Sequence, residues 1–348
     1  MKAVRFHQHG GPEKLIYEEC AAPTPGPGEA LLRVKACALN RLDLWVRQGI
    51  PAYPVTLPHI LGSDICGVVL EGDDLPAGIA VGDEVVVYPG IFNPGSQAAS
   101  LGRENLDPDF KIIGGHTPGG YAEQVVVPSR NLVKKPPKLT AVEAAAYPLT
   151  FLTAWHMLAT KAQVKESENV LILGAGSGVG TAGVQIARYL GAHVIAATTH
   201  EHKVEKLKAL GADEVLVGHP QDLAPKVLAA TRNLGVEVVF EHVGPATWEQ
   251  SLKVVARGGR IVTCGATTGP EVPLVLRQLF GREITLMGVT LGTLSELQRL
   301  TKLVAAGSLK PVVDRVFPLA EARAAQEALL SKEHTGKIVL DVAAGVTA

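Results

Sequence analysis

The stretch VLILGAGSGVGTAGVQIA, Val170 to Ala187, constrains the fold of this 348-residue chain more than any other. A buried-strand run meets the glycines Gly174, Gly176, Gly178 and Gly180, and a helical apolar pattern follows. A strand that turns through glycine directly into a helix opens a βαβ unit, and hence a parallel sheet. Glycine there permits a tight turn and lets backbone N–H groups approach a pyrophosphate, whose charge rests on the helix N-terminus. Gly174, Gly176, Ser177, Gly178, Val179 and Gly180 are therefore expected to bind a dinucleotide. The literal Gly-x-Gly-x-x-Gly spacing starts at Gly178 and ends at Gly183, inside the helix, so the strand–turn–helix context carries the expectation. Glycines used only for helix–strand packing are the competing reading, and the flanking strands weigh against it.

The texture on either side sets the organisation. From about residue 151 to 289, apolar strands (NVLILG, HVIAAT, VEVVFEHVG, GRIVTCG, ITLMGV) alternate with amphipathic helices such as EHKVEKLKALG, the rhythm of a doubly wound sheet. Residues 1 to about 135 read instead as short strands (KAVRF, EALLRVKACAL, ICGVVLEG, DEVVVYP, YAEQVVVP) broken by Gly/Pro clusters. One helix, NRLDLWVRQG, is expected there, with Asn40 near its N-cap and Gly49 near its end. Residues 290–348 return to mixed helix and strand. A doubly wound domain, 151–289, inserted into a β-rich domain, 1–150 closed by 290–348, is the simplest arrangement.

Bulk properties narrow the function. The 33 basic and 34 acidic side chains nearly cancel, which gives no electrostatic reason to expect nucleic acid or an anionic membrane as partner. The four cysteines, Cys20, Cys37, Cys66 and Cys264, form no C-x-x-C pair. The N-terminus lacks a signal-peptide apolar run, and no apolar stretch reaches the ~18 residues of a membrane span. A soluble, cytoplasmic chain with a small-molecule ligand is expected.

Cofactor choice turns on the end of the second strand of the doubly wound domain, where an acid would bond the 2′-hydroxyl of NAD and reject a 2′-phosphate. That place falls on Thr198, so NADPH is favoured over NADH. Glu201 is the objection, but Thr198-x-x-Glu201 fits a capping box for the next helix. Thr199, His200 and Lys203 then offer hydroxyl, ring and ammonium donors to the extra phosphate. A solvated Lys203 is the commoner reading of such a residue taken alone.

The chain as a whole resembles the medium-chain dehydrogenase/reductase superfamily, in particular its zinc-free quinone oxidoreductase branch. ALNRLDLWVRQG, PHILGSDICGVV, VGDEVVV, GGYAEQVVVP and AAAYPLTFLTAWHML match the superfamily's segments in order and spacing. The resemblance implies an α/β fold: a GroES-like β-barrel catalytic domain plus a doubly wound Rossmann cofactor domain, with the nicotinamide held between them. It also implies association through the edge strand ITLMGV as a homodimer, with a tetramer left open. In zinc-dependent relatives the catalytic metal takes Cys, His and Cys. Those places are Asn40, Ser63 and Leu149 here, so no zinc and no other metal is expected. The lobe that holds a second, structural zinc in those relatives has no cysteine here, and Asp107 stands at its last thiolate place.

Without a Lewis acid, hydride donation to an electron-poor quinone or α,β-unsaturated carbonyl is the expected chemistry. Asn40 would donate an amide hydrogen bond to the acceptor oxygen or to the nicotinamide ribose, while Asp43 fixes the local loop. Asp64, replacing the superfamily's Glu, bonds backbone groups or ribose. Tyr53 donates a proton or forms a pocket wall, and Trp45 either stacks on an aromatic acceptor or packs into the barrel. Thr153 matches a threonine near the carboxamide. Val243, Gly244, Gly265, Ala266 and Val289 lie beyond strand ends, where such folds hold ligands. His59, His116 and His242 read as loop or core residues. An alcohol or aldehyde dehydrogenase, and a non-catalytic NADPH-binding protein with a redox-sensing or structural role, are the alternatives.

Overall fold

The strand Glu29–Ala38 is the hub of the β-rich part. Its alternate residues Ala30, Leu32, Val34 and Ala36 are all buried, as a period of two requires of a strand with one face on a core. One edge pairs antiparallel with Asp64–Gly72. The other edge is shared: residues 29–33 pair with Gln124–Pro128 and residues 36–38 with Lys337–Asp341. The computed structural model, which describes residues 1–344, divides the chain into two units, Met1–Leu149 with Thr293–Ala348 and Thr150–Gly292. Residues 345–348 of the expected closing segment lie outside the described residues.

In the first unit the seven-stranded sheet runs Leu132–Lys134, Glu84–Val87, Asp64–Gly72, Glu29–Ala38, Lys337–Asp341, Val313–Pro318, with Gln124–Pro128 on the hub strand. A smaller sheet holds Lys2–Phe6 between Ile16–Glu19 and His59–Ile60. One apolar cluster joins them, including Phe6, Leu32, Ile65, Val85, Tyr121 and Leu340. The expected helix is Arg41–Gln48, begun at Asn40 and ended at Gly49 with φ +85°. The tail adds helices Leu294–Ala305 and Ala322–Ser331 to this unit.

The second unit holds six strands, all parallel. Their spatial order is Glu214–Val217, His193–Thr198, Asn169–Ile172, Val236–Glu241, Val255–Thr263, Thr285–Gly288. In chain order this is 3-2-1-4-5-6. The direction of winding reverses between Asn169–Ile172 and Val236–Glu241, which is where doubly wound sheets open a crevice for ligands. The β-barrel followed by a doubly wound sheet is the architecture expected from the sequence. Among the described residues no helix is long and apolar enough to cross a membrane.

Backbone-to-backbone contact sets one corner of the first unit. The loop around Gly62, just ahead of Asp64, is crossed by residues 113–121, with the Gly119 N–H donating to Ile60 O at 2.9 Å. A Cβ on Gly119 would stand 2.2 Å from Gly62 O and 2.6 Å from Leu61 O, neither of which can rotate away. Gly119→Ala is therefore expected to destabilise the unit by about 3 kcal/mol, at the upper end of overpacking costs. Thermal melting of the purified variant checks this, and an unchanged midpoint would show that the corner yields.

Candidate functional site

In the first unit the polar chemistry gathers at one end of three neighbouring strands. The sheet register sets Ala38 opposite Asp64 on one side and opposite Val339 on the other. Asn40, Asp64 and Lys337 therefore converge. The Asp64 carboxylate, fully buried, accepts from the Leu149 N–H at 2.7 Å, the Asn40 Nδ2 at 2.9 Å and the Lys337 Nζ at 2.9 Å. The Lys337 ammonium also donates to Leu39 O and to Asn40 Oδ1, each at 2.6 Å. Lys337 was not foreseen. Its side chain is only 4% exposed, against 0% for Asp64, so this is a buried ion pair.

Asp43 closes the start of the helix. Its Oδ2 accepts from the Asn40 N–H at 2.8 Å and from the Tyr121 hydroxyl at 3.0 Å. That is the loop-fixing role expected of Asp43, and it frees the Asn40 side chain to face Asp64 and Lys337. Burial pushes the Asp43 carboxyl up to about 6, and the hydrogen bonds from Asn40 and Tyr121 only partly oppose this.

The other foreseen residues of this unit are held by contacts of their own. Tyr53 is half-buried with its ring 4.9 Å from that of His116, and burial raises its phenol pKa. His116 accepts the Ile112 N–H at Nδ1, 3.0 Å away, as a loop-fixing residue. His59 is buried with Nε2 3.1 Å from Gly114 O. Trp45 is half-buried against the barrel core.

Asn40, Ser63 and Leu149, the places where the family resemblance would set zinc ligands, bring no thiolate and no imidazole. Both polar ends of Asn40 are engaged, the Ser63 hydroxyl is buried with no partner among the described residues, and Leu149 brings only an isobutyl group. The ammonium of Lys337 sits against Asn40 and would repel a dication there. Cys37 is buried, and desolvation holds its thiol well above the ordinary value, so it offers no thiolate. Within neither unit do the described residues gather three His, Cys, Asp or Glu ligand atoms. In the lobe, Asp107 accepts from the N–H groups of Asn93 and Asp109 at 2.8 and 2.9 Å, which holds its carboxyl below the usual range. A carboxylate thus ties that loop together through hydrogen bonds.

In the second unit the glycine loop forms a cradle. Gly174 has φ +53°, and a Cβ there would meet the His242 ring at 2.9 Å. A Cβ on Gly176 would stand 2.6 Å from Lys203 Cδ, and one on Gly180 2.4 Å from Gly174 O. The Ser177 hydroxyl caps the helix Gly178–Tyr189 by accepting the Gly180 N–H at 3.0 Å, and Val179 lies in its first turn. A bare backbone at a helix N-terminus, beside the winding reversal, fits a dinucleotide pyrophosphate. Val243 and Gly244, Gly265 and Ala266, and Val289 follow the ends of their strands as expected. The first pair is held by Glu241, a buried acid that sequence reasoning passed over. It accepts from the Val243 and Gly244 N–H groups and from the hydroxyls of Thr247 and Ser251. Thr153 is buried in the helix Pro148–Trp155.

One expectation at the second strand needs correction. Thr198 ends the strand, but it makes no capping box with Glu201. A 3-10 turn, Glu201–Lys203, starts after His200, and the Thr198 hydroxyl accepts the His200 N–H at 3.3 Å. The turn starts two residues later than the box requires. Lys203 is 4% exposed and its stem passes close to Gly176, which sets aside the solvated alternative. Thr199 is exposed and His200 half-buried.

Comparison with known proteins agrees across the whole chain. Residues 26–137 match the alcohol dehydrogenase GroES-like domain family and residues 178–306 the zinc-binding dehydrogenase family. The chain is 32% identical to a zinc-type alcohol dehydrogenase-like protein of Schizosaccharomyces pombe, over 98% of this chain and 99% of that one. It is 31% identical to a crotonyl-CoA carboxylase/reductase of Cereibacter sphaeroides, over 95% and 84%. With the quinone oxidoreductase of Homo sapiens it shares 28% identity over 98% and 97%. Among solved structures, an NAD-dependent alcohol dehydrogenase superposes with a TM-score of 0.93 at 43% identity, covering 98% of this chain and 100% of that one.

Asp43 generates a pH test. Its ordinary value is 3.8 and its folded value about 6, so between those limits the folded state binds the proton that the unfolded chain releases. The stability this group contributes is full below about pH 4 and is lost as pH rises through 6. The two-unit difference corresponds to about 3 kcal/mol. Asp43→Asn should gain on the parent by that order between pH 4 and pH 7 in denaturant titrations; parallel profiles would show that Asp43 does not titrate there.

Proposed function

As a member of the medium-chain dehydrogenase/reductase superfamily of zinc-type alcohol dehydrogenase-like proteins, the chain is an NAD(P)H-dependent oxidoreductase, and we propose that it uses NADPH to reduce a quinone or an α,β-unsaturated carbonyl without a metal. The observation that carries this reading is the donor set at Asn40, Ser63 and Leu149, with the ammonium of Lys337 bonded to Asn40. A zinc ion would polarise a carbonyl or stabilise an alkoxide by several kcal/mol. A neutral amide and a compensated ion pair supply far less, so the acceptor must already be electron-poor. Resemblance to a crotonyl-CoA reductase and to a quinone oxidoreductase supports that acceptor class.

The dinucleotide, when bound, supplies the hydride. Gly174, Gly176, Ser177, Gly178, Val179 and Gly180 would hold its pyrophosphate, with Val243, Gly244, Gly265, Ala266 and Val289 along the strand ends and Thr153 at the carboxamide. Thr198 puts no negative charge at the end of its strand, and Thr199, His200 and Lys203 are the donors for a 2′-phosphate. In the first unit Asn40 gives one amide hydrogen to Asp64. The other makes a long hydrogen bond to Ala38 O at 3.5 Å, the outer limit of such a bond, and would be exchanged for an acceptor oxygen. Asp64 fixes that amide. Tyr53, whose phenol keeps its proton, would protonate the reduced acceptor, and Trp45 would stack on an aromatic one.

A homodimer is also proposed, with a tetramer as the larger alternative. Thr285–Gly288 is the edge strand of the parallel sheet, and nearby Val275, Leu276 and Phe280 are 53%, 64% and 72% exposed. An open strand edge beside exposed apolar side chains suits a second copy of the chain.

The similarity to alcohol dehydrogenases favours one second reading, alcohol oxidation. Steady-state assay with NADPH and NADH against quinones, enones and alcohols, with and without chelator, decides between them. Chelator-resistant turnover of enones or quinones with NADPH is expected, and stoichiometric zinc with alcohol turnover would favour the second reading. Thr198→Asp should shift the NADPH-to-NADH ratio of kcat/KM toward NADH by tenfold or more, about 1.4 kcal/mol; a parent that already prefers NADH would sink the reading of Thr198.

A further inference from the structure

An asparagine amide has two ends of nearly the same shape, and only its neighbours decide which end faces which way. Around Asn40 the neighbours are charged. Lys337 Nζ, a donor only, lies 2.6 Å from Oδ1, and the Asp64 carboxylate, an acceptor, lies 2.9 Å from Nδ2. Turning the amide over would set NH2 against the ammonium and the carbonyl against the carboxylate. All three hydrogens of the ammonium are used, on Leu39 O, Asn40 Oδ1 and Asp64 Oδ2. None remains for an acceptor molecule, so Lys337 acts only through its neighbours.

We propose that Lys337 is a positioning residue for the reduction, its buried ammonium setting the orientation of the Asn40 amide and so presenting an amide hydrogen, not the carbonyl, to the acceptor. This rests on the reading that Asn40 faces the acceptor. Two features make it more than a structural pair. The backbone amide of Asn40 is already held by Asp43, so the helix start does not need Lys337. The Lys337 side chain reaches both the carbonyl of Leu39 and the side chain of the next residue, which fixes the chain and the amide together.

The test compares Lys337→Met, Lys337→Arg, Asn40→Ala and the Lys337→Met/Asn40→Ala double variant in the full chain, with thermal melting as the folding control. Lys337→Met is expected to lower kcat by about 100-fold with the KM for NADPH changed by less than twofold, and Lys337→Arg to recover to within about tenfold of the parent. The double variant should be no slower than the worse single one, because both changes remove the same oriented hydrogen. Independently of any turnover, the side-chain NH2 of Asn40 should give a slowly exchanging nitrogen-15 resonance in the parent and in Lys337→Arg, and a fast-exchanging one in Lys337→Met. A parent that reduces neither enones nor quinones would defeat the functional reading alone, since the resonance still reports on Lys337. Unchanged exchange of the Asn40 amide in Lys337→Met, or additive losses of kcat in the double variant, overturns the proposal. Should Lys337→Met fail to fold, fast exchange in Lys337→Arg, which keeps the charge, overturns it as well.

Discussion

Two opposite charges are taken out of water together where Lys337 meets Asp64, and the arrangement of the first unit depends on this. Desolvation costs several kcal/mol per ion, and attraction between the two repays it only when the remaining donors and acceptors are satisfied. Here the carboxylate receives three donors and the ammonium three acceptors. That satisfaction requires Asp64–Gly72, Glu29–Ala38 and Lys337–Asp341 to end side by side, as their register makes them do. The apolar pattern of these strands makes the barrel; in the register they adopt, both charges of the ion pair are satisfied.

This dependence explains which parts of the site were legible in the sequence. Asn40, Asp64 and Asp107 stand inside local segments whose order and spacing mark them. Lys337 follows Gly336 and opens the strand KIVLD, and a lysine at the start of a strand ordinarily reaches water. Its burial follows from the strand lying between Glu29–Ala38 and Val313–Pro318, a fact about neighbours far away in the chain. The available signal was indirect: a lysine heading an apolar strand that must be covered on both sides has to find a buried partner. The Asp43–Tyr121 bond escaped for the same reason, since the two residues belong to distant segments.

The second unit was legible almost throughout, because a parallel sheet covered by helices announces itself through apolar runs and glycine turns that are local in sequence. Its misreading at Thr198 came from applying a local rule where two conformations satisfy local chemistry equally. Thr-x-x-Glu permits a capping box, but the chain bends at Thr199 and passes through an extended His200 before the 3-10 turn, and the Thr198 hydroxyl takes the His200 N–H instead. The burial of Lys203 had no local sign either, because the partner of its stem is the bare Cα of Gly176. Absence of a side chain in one place made room for a long one in another.

The same exchange of long-range for local information bears on chemistry. A metal bound by thiolates can be lost, replaced or left open at one position, so its electrophilic power is concentrated and adjustable. The Lys337–Asp64 pair is covalently part of the chain and nearly neutral as a unit, and its field falls off as that of a dipole. Such a pair orients a neighbouring amide well and polarises a distant carbonyl poorly. On the proposed reading this division is the reason the acceptor must bring its own electron deficiency: the protein has invested its buried charges in geometry, and geometry lowers a barrier only when the reaction is already close to proceeding.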